Sequence, residues 1–148
     1  MSAGTRGTAR ERKILVALVA QGWVVYRSAG SHKPADLIAM KAGETSRLIQ
    51  VKGSARSAFA DFPPTERVAL IEQAFRAGAE AWLVWWPPRE EPRWLPPDVW
   101  PNGREMRTRI ARLVLASGGD VEHALRVEHV IDRDEVYHGL GEIDGGGE

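Results

Sequence analysis

The sequence contains no cysteine among its 148 residues. This absence excludes a disulfide framework, a cysteine nucleophile and any metal site built on thiolates. No apolar run approaches the length of a transmembrane helix, and the first residues lack the charged and then apolar pattern of a signal peptide. We therefore expect a soluble, cytoplasmic protein that has no membrane partner.

The net charge of zero conceals a gradient along the chain. Residues 1–60 carry ten Lys or Arg against three Asp or Glu, whereas residues 121–148 carry two against eight. A basic half joined to an acidic end is typical of proteins with a polyanionic partner, because Lys and Arg contacts to phosphates supply most non-specific affinity for nucleic acids. A solvated surface with uneven charge explains the gradient equally well.

Hydrophobic patterning predicts an α/β fold with the element order α-β-β-β-α-β and a helical extension. The predicted helices cover Thr8–Gln21, the segment from Pro63 or Pro64 to Gly78, and Arg104–Ala116; the predicted strands cover Trp23–Arg27, Ala35–Met40, Arg47–Lys52 and Ala81–Trp86. The proline-rich residues 87–101 favour a loop or an edge strand. We expect a core over 1–101 and an extension over 102–148 that has a short helix at Val121–Val130 and an acidic, partly flexible end.

The apolar face of each predicted helix follows from spacings of three and four residues. The residues expected to be buried are Leu15, Leu18 and Val19 on the first helix, Val68, Ile71 and Phe75 on the second, and Ile110, Leu113 and Val114 on the third. Glu11 lies four residues before Leu15, and therefore on the same face.

Four residues between positions 11 and 52 form a candidate site. Gln50 and Lys52 point to one face of the third strand, because side chains alternate along a strand. If the second and third strands form a hairpin, Asp36 lies beside them, and Glu11 approaches from the helix packed over that face. Two carboxylates, an amide oxygen and a lysine would then meet. Hard divalent ions such as Mg²⁺ prefer oxygen ligands, and they lower the pKa of bound water.

Each of these residues also has an ordinary structural explanation. Glu11 favours the helix dipole, Asp36 suits a turn, and Gln50 and Lys52 suit a solvated strand face. Their combination on a basic half of the chain favours a nuclease.

The run Pro34-Ala35-Asp36, a hairpin turn and then Gln50-Val51-Lys52 resembles the PD-(D/E)XK nuclease signature. The longer match resembles the archaeal-type Holliday junction resolvases, which are known from archaea and some phages. It comprises Glu11, Arg27-Ser28-Ala29-Gly30-Ser31, Pro34-Ala35-Asp36-Leu37-Ile38-Ala39 and Leu48-Ile49-Gln50-Val51-Lys52-Gly53. The resemblance covers about residues 6–95.

This resemblance implies a restriction-endonuclease-like core, a mixed sheet flanked by helices, and a homodimer that cuts four-way DNA junctions by paired symmetric nicks. It implies that Mg²⁺, or Mn²⁺ in its place, activates a water that attacks the phosphodiester, and we expect no nucleotide cofactor. By position, the metal ligands would be Glu11, Asp36 and Gln50, and the other catalytic residues Lys52 and Ser31. Arg27 matches a basic residue that supports DNA binding, and Arg10, Arg12 and Lys33 are placed to meet the DNA backbone.

Gln50 departs from the signature, which usually has Glu or Asp at this place. Glutamine offers an oxygen but no negative charge, so the site should hold Mg²⁺ less tightly. Three other readings stay open: an endonuclease of the same superfamily acting on duplex or flap DNA, a junction-binding protein with weakened catalysis, and an unrelated α/β domain with a chance motif. For the subunit interface, the sequence suggests Trp85 or Trp86 together with Trp94 and Trp100, since tryptophan is enriched at interfaces.

Overall fold

In the part of the chain that the computed structural model describes, residues 3–28 and 34–116, a five-stranded mixed sheet lies at the centre. Its strands, in spatial as in sequence order, are β1 (Val24–Arg27), β2 (Leu37–Met40), β3 (Arg47–Lys52), β4 (Glu80–Trp85) and β5 (Arg93–Leu95). β3 and β4 run parallel, and the other neighbouring strands are antiparallel. The predicted mixed sheet is confirmed, and the proline-rich segment supplies an edge strand.

The helices are α1 (Ala3–Ala20), α2 (Pro64–Ala77) and α3 (Gly103–Ala116), with a short 3₁₀ helix at Pro97–Val99. Proline suits the first turn of α2, where the missing N–H has no intrahelical partner to lose. α2 ends at Gly78, which adopts a left-handed backbone (φ 66°) and donates its N–H to the carbonyls of the last turn. α2 thereby provides the crossover that parallel strands β3 and β4 require.

Two apolar clusters cover the two faces of the sheet. On one face, Ile14 and Leu18 of α1 pack with Ile49 and Val51 of β3. On the other face, α2 and α3 pack with residues that include Leu48 of β3. Because side chains alternate between the two faces along β3, successive residues of this strand face α1 and the α2–α3 layer in turn.

Three residues predicted to be buried are instead exposed. Val19 is 51% exposed on α1, Val68 37% on α2 and Leu113 59% on α3. On each helix the buried stripe is rotated away from the predicted face: it contains Ile14 and Leu18 on α1, Leu70 and Ala74 on α2, and Ala111 on α3. Helical spacing defines a face but does not fix how much of it a small sheet covers.

The predicted role of Trp100 at a subunit interface is wrong. Trp100 is 3% exposed and packs edge-to-face on Phe62, with ring centroids 5.1 Å apart. Its indole N–H donates to the carbonyl oxygen of Leu95 at 3.0 Å. Trp100 therefore belongs to the core under α2 and α3.

The last described helix packs on the core. Ile110, Ala111 and Val114 of α3 join the cluster that contains the buried residues of α2. The predicted helix at Val121–Val130 and the acidic end lie outside the described residues. Within the described ranges, no helix combines the length and the hydrophobicity that crossing a membrane requires.

Candidate active site

The β2–β3 ladder brings Asp36 beside Gln50. Leu37 pairs with Ile49, and the backbone N–H of Asp36 donates to the carbonyl of Ile49 at 2.8 Å. The ladder thus continues past the end of β2 and sets Asp36 opposite Gln50. One carboxylate oxygen of Asp36, Oδ2, accepts the backbone N–H of Val51 at 2.8 Å. The side chain of Asp36 is therefore fixed to the backbone of β3.

Asp36 carries a strongly perturbed carboxyl group. Its pKa is raised from 3.8 to about 6, chiefly because burial removes water from the ionised form. The negative charges of Glu11 and Glu66 also raise this pKa, whereas the hydrogen bond from Val51 and the charge of Lys52 lower it. An ionised Asp36 is therefore a partly buried anion for which the positive charge of Lys52 compensates only in part.

Gln50 and Lys52 share one face of β3, as their spacing predicts, and this is the face that α2 covers. Gln50 is 8% exposed. Lys52 Nζ lies 3.7 Å from Oε1 of Glu66, which is in the first turn of α2. Glu66 was not among the residues predicted from the sequence. Its position near the start of the helix that follows Lys52 could have indicated it. A crossover helix returns over the sheet, and its first turn therefore lies close to the end of the preceding strand.

Glu11 approaches from the opposite side of the sheet. We expected its helix to pack over the face of Gln50 and Lys52, and this expectation is wrong, because α1 packs over the face of Ile49 and Val51. Glu11 is nevertheless close enough for its charge to raise the pKa of Asp36. The site therefore forms where the two faces meet, at the end of β3.

Arg27 orients Glu11. Its Nε donates to Oε1 of Glu11 at 3.0 Å, and its Nη2 donates to Oγ1 of Thr8 at 3.1 Å. The arginine therefore fixes a carboxylate of the site to the end of β1 and also places a cation there. Because the Arg27 side chain is 43% exposed, solvent screens this ion pair, which therefore positions Glu11 more than it stabilises the fold.

The other predicted residues differ in how they are placed. The guanidinium of Arg10 lies against Gly53, directly after Lys52. Arg12 is exposed on α1. Ser31 and Lys33 lie outside the described residues, so their predicted roles stay predictions.

The donor set suits a hard cation, with few charges to hold it. Glu11, Asp36 and Gln50 offer only oxygen atoms, which Mg²⁺ and Mn²⁺ prefer. The pKa of Asp36 is raised chiefly by burial and further by the charges of Glu11 and Glu66, and a bound cation would favour its ionised form. Within residues 3–28 and 34–116, no cluster of three or more His, Cys, Asp or Glu is arranged to hold a metal ion. Asp36 and Gln50, with Glu11 near enough for its charge to act on Asp36, nevertheless offer the oxygen atoms that such an ion prefers.

Comparisons with known proteins agree on one family. The model of the archaeal Holliday junction resolvase (hjc) family matches residues 2–132. Among solved structures, the chain is similar to Archaeoglobus fulgidus Hjc, a Holliday junction resolvase from an archaeal hyperthermophile. The two share 32% sequence identity with a TM-score of 0.53, and the match covers 61% of this chain and 76% of that chain. No curated protein sequence is similar enough to the chain to count as a match.

Proposed function

Because the chain belongs to the archaeal Holliday junction resolvase family, a family of junction-resolving endonucleases, we propose that it cuts four-way DNA by paired symmetric nicks that depend on a divalent metal ion. The observation that carries the proposal is the pairing of Asp36 with Gln50, with Lys52 on the same strand. This places acid, amide and ammonium groups at one end of the sheet. We also propose that the protein acts on DNA in the cytoplasm.

Glu11, Asp36 and Gln50 would hold the ion, with Mg²⁺ as the physiological choice and Mn²⁺ as a substitute. When bound, such an ion lowers the pKa of water and neutralises charge on the phosphate. Burial and the bond from Val51 fix Asp36 for this role, and Arg27 holds Glu11 in position.

Lys52 would stabilise the negative charge that develops on the scissile phosphate. The Lys52 side chain is 18% exposed, and this partial shielding from water strengthens its interaction with a phosphate because the local dielectric is lowered. Glu66 would keep the side chain of Lys52 directed along the α2 face through their 3.7 Å ion pair. Ser31 would contact the scissile phosphate, as the family resemblance implies.

Two copies of the site suit the substrate. A four-way junction has approximate two-fold symmetry, and a C2 dimer presents two identical sites related by the same symmetry. We propose a homodimer for this reason. Recognition would then depend on the shape and the backbone path of the junction and not on base edges.

A junction-binding protein with weakened catalysis is the second candidate. It is favoured by Gln50 in the place of an acid and by the small number of carboxylates at the site. Glu66 favours the active enzyme, because it adds a negative charge near the site that lacks an acid at position 50.

Cleavage of a labelled, non-migrating four-way junction with Mg²⁺ tests the proposal, beside linear duplex and flap DNA. We expect symmetric nicks in the junction alone. Lys52→Ala should abolish them, whereas Lys41→Ala, which removes the same charge from the exposed turn after β2, should retain them.

Rapid cutting of linear duplex or flap would instead indicate a different endonuclease of the same superfamily. Tight junction binding without cutting, with cleavage restored by Gln50→Glu, would establish the second candidate.

A further inference from the structure

A pocket of about 220 Å³ opens beside the candidate active site. It lies between α1 and the segment that follows β4. We call it the basic pocket and define it by Arg10, Lys13, Trp86 and Arg89; Ala9 and the prolines of this segment complete its wall. Three of its four defining residues are cations, and none of the lining residues is an acid. The pocket is therefore suited to an anion.

The basic pocket is continuous with the end of β3. The backbone N–H of Trp86 donates to the carbonyl of Lys52 at 2.8 Å, which ties the pocket wall to the strand that carries the site. The guanidinium of Arg10 packs against Gly53 at the same place. Arg10 therefore stands between the candidate site and the rest of the pocket.

The wall of the pocket is held in position by specific contacts. The indole N–H of Trp86 donates to the carbonyl of Glu90 at 2.7 Å, and Lys13 Nζ lies 5.6 Å from the centroid of the Trp86 ring. The nearby carboxylate of Glu90 is engaged by Arg93 at 3.1 Å. The Trp86 face and the cations are thus presented together.

Arg89 adopts a backbone conformation that non-glycine residues rarely use. Its φ is 64°, in the left-handed region. Such a conformation costs a residue with a Cβ free energy, and this kind of strain is concentrated at functional sites. The loop therefore presents a cation where glycine would fit the backbone better.

We propose that the basic pocket binds a phosphate of the DNA backbone next to the scissile phosphate, so that the strand runs from Lys52 past Arg10 to Lys13 and Arg89. This inference rests on the proposed function and extends it by naming the path of one junction arm. Arginine binds phosphate through paired N–H donors, and lysine adds a point charge. The face of Trp86 provides an apolar surface for the adjoining sugar.

The test is the salt dependence of DNA binding without divalent ions, measured on the junction and on linear duplex for Lys13→Ala, Arg89→Gly and the double variant. Each lost phosphate contact reduces the slope of log affinity against log salt by about 0.9. Because Lys13 and Arg89 contact the same phosphate, the double variant should lose up to about 0.9 on both DNAs, and each single variant a part of that loss. Arg76→Ala, which removes an exposed arginine from α2 on the other face of the sheet, is the matched control and should keep the wild-type slope.

Arg89→Gly separates the proposal from misfolding, because glycine relieves the left-handed backbone. We expect its unfolding temperature to be no lower than that of the wild type while its slope falls. Wild-type slopes in all three variants would overturn the inference, even if the wild type cuts junctions and the proposed function stands. A wild type that does not cut junctions would contradict the proposed function, and the slopes on linear duplex would still decide the pocket.

Discussion

Replacing Asp36 with asparagine removes a partly buried charge while retaining a side chain of the same shape. The carboxyl pKa of Asp36 rises from 3.8 to about 6 in the fold, a shift of roughly 2 units. At about 1.4 kcal/mol per unit, the ionised form costs the folded state at most about 3 kcal/mol. Asparagine still offers an oxygen to the N–H of Val51. Asp36→Asn should therefore stabilise the metal-free protein at neutral pH by up to this amount.

The gain must depend on pH in a defined direction. Below 3.8 the carboxyl group is protonated in both the folded and the unfolded chain, so the variant gains nothing. Between 3.8 and about 6 the unfolded chain releases its proton first, and rising pH therefore favours unfolding of the wild type. The difference between variant and wild type should grow through this window and stay constant above it.

Urea unfolding followed by tryptophan fluorescence, in a metal chelator over this pH range, measures the difference. The exposed Asp61 provides the control, since Asp61→Asn removes a charge from a solvated loop and should change stability little. Added Mg²⁺ should stabilise the wild type above pH 6 and stabilise Asp36→Asn much less, because the asparagine amide offers the cation an oxygen but no negative charge. An Asp36→Asn variant that is less stable than the wild type at neutral pH without metal would refute the reasoning.

Three further predictions concern the surroundings of the site and the start of α3. Gly53→Ala places a methyl group against the guanidinium of Arg10, and the flexible end of Arg10 can move aside. Calorimetry should therefore show little change in unfolding temperature, whereas the affinity for the junction should fall. An unchanged affinity would contradict the prediction. Glu66→Gln removes a negative charge that raises the pKa of Asp36, so an NMR titration should find this pKa closer to 3.8 than in the wild type. A pKa that does not change would contradict the prediction. Gly103→Ala drives a methyl group into a backbone carbonyl of the 3₁₀ helix. This overpacking should lower the free energy of unfolding, measured in urea, by about 1–3 kcal/mol. A variant as stable as the wild type would show that the backbone moves freely.

The order of elements could be predicted because local signals determine it. β3 was predicted with its observed bounds, since turn residues flank an apolar run. Gly22 and Gly78 mark the ends of α1 and α2, and both adopt positive φ. The hairpin register, and with it the placement of Asp36 beside Gln50, followed from the short turn between β2 and β3.

Contacts between distant segments could not be predicted in the same way. The burial of Trp100 under Phe62 depends on how the residues before α3 fold back on the core. The ion pair of Arg27 with Glu11 depends on which face α1 covers, and the sequence pattern does not specify that face. Glu66 meets Lys52 only because α2 crosses over the sheet. Each of these contacts joins residues of different segments, whereas periodicity and spacing describe only one segment at a time.

The bond from Val51 to Asp36 has a consequence for how the chain tolerates insertions and deletions. Because the carboxylate is hydrogen-bonded to the β3 backbone, the geometry of the site depends on the register between β2 and β3. A one-residue slip of the hairpin turns every side chain of the strand to the other face, and would replace Gln50 with an apolar neighbour opposite Asp36. The turn between β2 and β3 can therefore change length only in ways that keep this register. The loop that carries Arg89 lies outside the β2–β3 ladder, so its length can vary without moving the acids, and variation there would reshape the DNA path while leaving the chemistry in place.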